Sequence, residues 1–316
     1  MEIKDFPKID LHCHLDGSLR PEWIAASLGL SCDDALSKQL CAPKRCASLA
    51  EYLTRFSLPL QALSTADRFA SAVEDVLAQA AAEHVVYTEI RFAPMLSVRE
   101  DLRAEAIAEA AIEGLRRGTK AYGIKAGLIF CAMRHMSEKE NLAVLELTRK
   151  YLGQCVVGFD IAGDEAAFGN ERFADLFKKA GAYDIPFTIH SGECGSAENV
   201  RLAIEYGARR IGHGIAMIKD PHLMELAAKK RIGIEMCPTS NYQTGAVKDG
   251  DVYPLRLFLD AGICVSVNTD NRTVSNTDMT RELKFCREHL GVKDEDLALI
   301  YQNSVDMAFT NAPTHM

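Results

Sequence analysis

Short apolar runs alternate with amphipathic stretches along this chain. Eight runs can be read, at residues 8–12, 85–92, 124–131, 156–161, 186–190, 210–213, 232–237 and 263–268. They are rich in Val, Ile and Phe with little strict alternation, as expected for strands covered outside by helices and filled inside by side chains. The stretches between them show helical spacing and start signals. Phe69, Val73, Val76 and Ala80 form one stripe within 66–83, a core-facing surface. Ser137 with Glu140 makes a capping box, and Asp220-Pro221 is an N-cap with proline at the first helical position. Strands that alternate with helices predict an α/β protein with a parallel sheet. Eight such units predict a (β/α)8 TIM-type barrel occupying 1–316 as a single domain.

The interval 21–65 is too long for one barrel helix, and its apolar residues Leu49, Leu53, Phe56 and Leu60 recur at helical spacing. It is expected to be a helical insertion after strand 1. Loops after barrel strands face the active-site end, so the insertion is either a cover for the site or an ordinary packing appendage.

Composition narrows the function classes. A net charge of −8 over 316 residues argues against a protein that grips phosphate backbones, so no nucleic-acid partner is expected. No apolar run is long enough to span a bilayer, and no membrane partner is expected either. Residues 1–7 include Glu2, Lys4 and Asp5 and lead directly into the first strand. Lacking the form of a secretory signal, they suggest a cytoplasmic protein. The 10 cysteines form no C-x-x-C pair and read as reduced thiols. Cys41 and Cys46, without a second pair or neighbouring histidines, make a poor zinc site.

Candidate chemistry collects at strand ends. His12 and His14 close the first strand, and side chains two apart on a strand point the same way. Alone, such an H-x-H is either a metal site or a satisfied pair. His190 closes run five, His213 closes run six and Asp270 follows run eight, so all five groups would gather at the mouth where barrel catalysis sits. His12, His14, His190 and Asp270 suit an open catalytic Zn2+ site. Glu193 follows His190 by three residues, with Gly192 allowing a tight turn, and is assigned proton transfer. His213, between Gly212 and Gly214, either handles the attacking water or is a fifth ligand. The other histidines, His84, His135, His222, His289 and His315, read as solvated or capping residues.

Six ordered motifs resemble the adenosine deaminase family of the metal-dependent amidohydrolase superfamily over nearly the whole chain. They are Lys8-Ile9-Asp10-Leu11-His12-Cys13-His14-Leu15-Asp16-Gly17-Ser18, Glu89-Ile90-Arg91-Phe92-Ala93-Pro94, Gly158-Phe159-Asp160-Ile161-Ala162-Gly163-Asp164-Glu165, His190-Ser191-Gly192-Glu193, Arg210-Ile211-Gly212-His213-Gly214, and Val267-Asn268-Thr269-Asp270. The resemblance implies one Zn2+ per chain and hydrolytic deamination of adenosine and 2′-deoxyadenosine. Zinc-bound water would attack purine C6 while Glu193 protonates N1, with His213 and Asp270 handling the water. It further implies that His14 lies against the substrate, the Gly163 backbone meets N3, Asp16 binds the ribose, and Leu53 and Phe56 form an apolar lid. Asp16 in place of glutamate favours a nucleoside over free adenine, because a longer side chain would crowd a ribose.

Two positions depart from the family pattern. Asn271 stands where a second aspartate is usual; its NH2 would donate to N7 directly, where a carboxyl must first be protonated. Ser191 stands where alanine is commoner, a small-for-small change. The alternatives are a related aminohydrolase acting on adenine, a modified adenosine or AMP, and a barrel with a binding role that has lost catalysis. Amide or phosphoester hydrolysis at a binuclear site fits less well, since run four offers no bridging lysine. The zinc deaminase pattern H-x-E with P-C-x-x-C is absent. No protein partner is implied.

Overall fold

A computed structural model describes residues 2–248, 250–310 and 312; His315 lies outside them. The eight predicted strands form, at Lys8–His14 (β1), Val85–Phe92 (β2), Lys125–Met133 (β3), Val156–Ala162 (β4), Thr188–Ser191 (β5), Arg210–His213 (β6), Gly233–Met236 (β7) and Cys264–Val267 (β8). β1 runs past the apolar run through His14, which places His12 and His14 on one strand.

All strand pairings are parallel, in the orders β1-β2-β3-β4 and β5-β6-β7-β8. Single parallel bridges join the halves at both seams. Phe159 meets Phe187 between β4 and the approach to β5, and Cys13 meets Asp270 between β1 and the segment after β8. At the second seam the Asp270 N–H donates to His12 O (2.8 Å) and the His14 N–H to Asp270 O (2.7 Å). The backbone that closes the ring is therefore the backbone that carries three of the predicted site residues.

Helices coat the outside. Phe69, Val73, Val76 and Ala80 of helix Ala66–Ala82 are all buried, and the Phe and Val side chains so buried contribute about 1.5–3 kcal/mol each. The Ser137 capping box and the Asp220 cap form as read. The insertion folds as short pieces, Pro21–Leu28, Asp34–Leu40, Leu49–Leu53 and Ser57–Ala62; caps at Asp33 and Ser48 restart the helix at the first two breaks, and a 3-10 turn, Thr54–Phe56, fills the third.

The interior of the ring holds charge as well as apolar side chains. On β2 the outward residues Ile90 and Phe92 join the hydrophobic core, while Glu89 and Arg91 are fully buried among polar partners. Asp160, Arg210 and Glu235, from β4, β6 and β7, are likewise inaccessible to solvent. Buried ionised groups persist only when paired, and this set is paired beneath the site.

Candidate active site

β1, β5, β6 and the turn after β8 deliver the predicted ligands to one point. Nε2 of His14 and Nε2 of His190 lie 3.1 Å apart, and Oδ1 of Asp270 lies 3.5 Å from Nε2 of both His12 and His14. Donor atoms of His12, His14 and His190 fall within 4.8 Å of one another, as do those of His12, His213 and Asp270. His12 Nε2 is buried with no hydrogen-bond partner. An orphaned imidazole nitrogen facing two more imidazoles and a carboxylate is a donor set that fits a divalent cation.

Electrostatics agree for most of the set. Burial pushes the Asp270 carboxyl up, but His12, His213 and His14 override it and hold it well below the usual carboxylate range. His14, His190 and His213 are lowered, first by burial and then by their neighbours' positive charge, so the neutral ligand form is favoured. His12 goes the other way: Asp270 and Glu235 outweigh burial and Arg91 and raise it.

Three of the four imidazoles, those of His12, His190 and His213, are held from behind. His12 Nδ1 meets Glu235 Oε2 at 2.8 Å, and His190 Nδ1 lies 2.9 Å from Asp160 Oδ2. One guanidinium joins the two carboxylates, because Arg91 donates to Asp160 Oδ2 and to Glu235 Oε2, both at 2.8 Å. Arg210 then links Glu235 (2.6 Å) to Glu89 (2.5 Å). Such carboxylate–histidine contacts fix ring orientation and leave Nε2 aimed at the ligand space. Behind His213, the Asn241 Nδ2 donates to Nδ1 at 2.9 Å while Asn241 Oδ1 accepts from the Tyr253 hydroxyl at 2.9 Å.

Two site residues adopt backbone conformations that side chains usually avoid: His213 at φ 64° and Asp270 at φ 58°. Strain of this kind is concentrated at functional positions. Gly212 is needed for close approach, since a Cβ there would lie 3.1 Å from His12 Cε1 and 3.2 Å from His190 Cα. Gly192, at φ 78°, makes the predicted turn, and a Cβ would press to 2.6 Å from Val200.

Above the cluster lies a cavity of about 240 Å3. His14, Asp16, Leu53, Phe56, Gly163, His190, Glu193, His213, Asp270 and Asn271 all line it; His12 sits beneath. Leu49 and Leu60 line it too, so the insertion forms part of the cavity wall. Glu193 Oε2 is 3.7 Å from His213 Nε2. Burial, then the Asp270 and Glu165 carboxylates, push the Glu193 carboxyl up to about 8. Burial also pushes Asp16 up to about 6, and its Oδ1 has no partner.

His135, read as solvated, is exposed and lies on the cavity wall. Ser191 is more than a small filler, because its Oγ accepts from Asn170 Nδ2 at 2.8 Å. The Asn271 amide is not wholly free: Nδ2 donates to the Tyr52 hydroxyl at 3.1 Å, while Oδ1 is buried without a partner. Tyr52, Glu235, Asp160, Asn241 and Glu165 were missed as site residues. A signal existed for two of them, since Glu235 and Asp160 are single carboxylates inside otherwise apolar strand runs.

Comparison with known proteins follows this geometry. The adenosine deaminase family profile matches residues 7–316. An adenosine deaminase from Enterococcus faecalis is 40% identical, covering 97% of this chain and 93% of the relative. One from Haemophilus ducreyi is 39% identical with the same coverage. Among solved structures, a zinc-bound amidohydrolase from Burkhoderia ambifaria superposes with a TM-score of 0.88 at 23% identity, over 98% of this chain and 87% of the other. An adenine deaminase from Arthrobacter aurescens gives 0.87 at 23% identity, over 96% and 94%. These two likenesses concern the fold, which is the barrel read from the strand pattern. By the profile match and by relatives of about 40% identity over nearly their full length, this chain is a member of the adenosine deaminase family.

Proposed function

We propose that this protein hydrolyses adenosine and 2′-deoxyadenosine to inosine and 2′-deoxyinosine plus ammonia, with one Zn2+ held by His12, His14, His190 and Asp270. The observation that carries the reading is a metal-competent histidine cluster with the buried Glu193 carboxyl at its edge, 3.7 Å from His213 Nε2; burial and the Asp270 and Glu165 carboxylates push that carboxyl up. Bound zinc supplies Lewis acidity that brings a water's pKa toward neutrality. Glu193 donates its proton to purine N1, which lets C6 accept the incoming oxygen. His213, with Nδ1 accepting from Asn241, carries its own proton on Nε2 and orients the attacking water as a donor. Asp270, ionised, would accept that water's proton and pass it to the C6 amino group, so that the C6–N bond breaks with ammonia leaving and the C6 hydroxyl proton returns to Glu193.

Substrate class follows from the lining. The cavity's charged residues are Asp16, Asp164, Glu193 and Asp270 beside the histidines, with no lysine or arginine among its described lining. A 5′-phosphate would meet carboxylates and no cation, which favours a nucleoside over AMP. Asp16 keeps an unpartnered acceptor oxygen for a ribose hydroxyl, which favours a nucleoside over adenine. Gly163 and Asn271 offer contacts to N3 and N7, and Leu53 and Phe56 cover the base. The absence of a disulfide among the 10 cysteines suits a cytoplasmic setting.

The test is incubation of the purified, metal-quantified protein with adenosine, 2′-deoxyadenosine, adenine and AMP, following ammonia release. Both nucleosides should be consumed with about one zinc per chain. Preferential consumption of adenine or AMP would overturn the substrate assignment.

A further inference from the structure

Glu193 sits in a short turn between β5 and helix Ala197–Glu205 that has no secondary structure of its own. Backbone amides in such a turn need other partners, and one side chain supplies them. Glu165, buried and three residues past the end of β4, reaches across to the turn. Its Oε1 accepts from the Gly192 N–H at 2.6 Å and its Oε2 from the Cys194 N–H at 3.0 Å. These amides lie on either side of Glu193. Oε1 also accepts from Asn199 Nδ2 at 2.8 Å, in the first turn of the following helix.

The anchor continues into the barrel wall. Asn199 Oδ1 accepts from the Asn170 N–H at 3.0 Å, and Asn170 Nδ2 donates to Ser191 Oγ, one residue before the turn. Arg134 donates to Asn170 Oδ1 at 2.7 Å and to His190 O at 2.6 Å. The segment is thus tied by side chains at His190, Ser191, Gly192 and Cys194, with Glu165 gripping both flanks of the acid.

We infer that Glu165 is the positioning residue for Glu193: its carboxylate clamps the amides before and after the acid and so sets where the acid's proton is presented. This rests on the reading of Glu193 as proton donor given above. A rigid backbone matters because displacement of a catalytic group by about 1 Å can cost roughly 100-fold in rate. The clamp also has an electrostatic effect. Glu193 faces Asp270, Glu165, His12 and Thr244, and lies near His213; of these, Asp270 and Glu165 hold its proton on.

Two substitutions separate position from charge. Glu165→Gln keeps the size but leaves one acceptor oxygen and no charge. Glu165→Asp keeps the charge but is too short to span both amides. Both should lower kcat by about 10- to 100-fold with KM within about twofold and zinc content unchanged. The alkaline limb of the kcat/KM profile should move to lower pH in Glu165→Gln alone. Hydrogen exchange over residues 190–196 should speed up in both, a readout that does not need activity. If the wild type fails to deaminate adenosine while exchange in the variants rises, the functional reading fails and the clamp stands. Unchanged exchange would remove the clamp. Faster exchange with wild-type kcat and an unmoved pH limb would remove the positioning role.

Discussion

The floor of the site and its cover are built in opposite ways. Beneath the ligand cluster, Arg91, Asp160, Glu235, Arg210 and Glu89 are almost wholly shut off from solvent, and most of them meet two or more charged partners. Above it, Leu49, Leu53, Phe56 and Leu60 face the cavity half-exposed on short helical pieces. The insertion's firm point there is Tyr52, packed with Cys46 and Val274 in a small cluster separate from the main core. Its hydroxyl reaches Ser275 Oγ at 2.6 Å and the Asn271 amide. Atoms that must meet a cation at fixed distance are held by charge in a low-dielectric interior, where displacement is expensive. Atoms that need only line the cavity are held by sparse apolar contact.

That contrast can be broken at the floor. Arg91→Met should cost about 3–5 kcal/mol, because it leaves Asp160 and Glu235 buried without their shared cation. Denaturant titration measures it, and a loss under about 1 kcal/mol would mean that the network is dispensable.

At the level of chemistry, Glu193→Gln should lower turnover by at least about 100-fold, the usual worth of a placed acid, with zinc content and stability near wild type. Full activity would take Glu193 out of the mechanism.

The pH dependence follows from the same group. In the proposed mechanism Glu193 acts protonated; its carboxyl is pushed up to about 8 in the metal-free site, and a nearby cation favours the ionised form. Activity should therefore fall on the alkaline side of a limb at or below about 8. A kcat/KM profile flat to pH 10 would contradict it.

The cover should answer most weakly. Tyr52→Phe removes one hydroxyl from the Ser275 and Asn271 contacts and should cost about 0.5–1.5 kcal/mol, read as a raised KM for adenosine with kcat nearly kept. Its effect on 7-deazaadenosine, which lacks the N7 acceptor, should be smaller if the Asn271 amide meets N7. Equal effects on both substrates would remove that contact. A collapse in kcat instead would place the cover among the rigid parts and erase the distinction from the floor.

The order of strands, the stripe on helix Ala66–Ala82 and the gathering of His12, His14, His190, His213 and Asp270 were decided locally. Strand and helix periodicities state which residues share a face, and the barrel rule states at which strand end chemistry collects. What supports those residues was decided by tertiary structure. His12 and Glu235 are 223 residues apart, Arg91 and Asp160 are 69 apart, and Arg91 and Glu235 are 144 apart. Periodicity along one strand carries no information on which side chain faces it across a closed ring. For the same reason, Glu165 holding the turn of Glu193, and Tyr52 holding Asn271, emerge only once the ring has closed and the insertion has folded over its mouth.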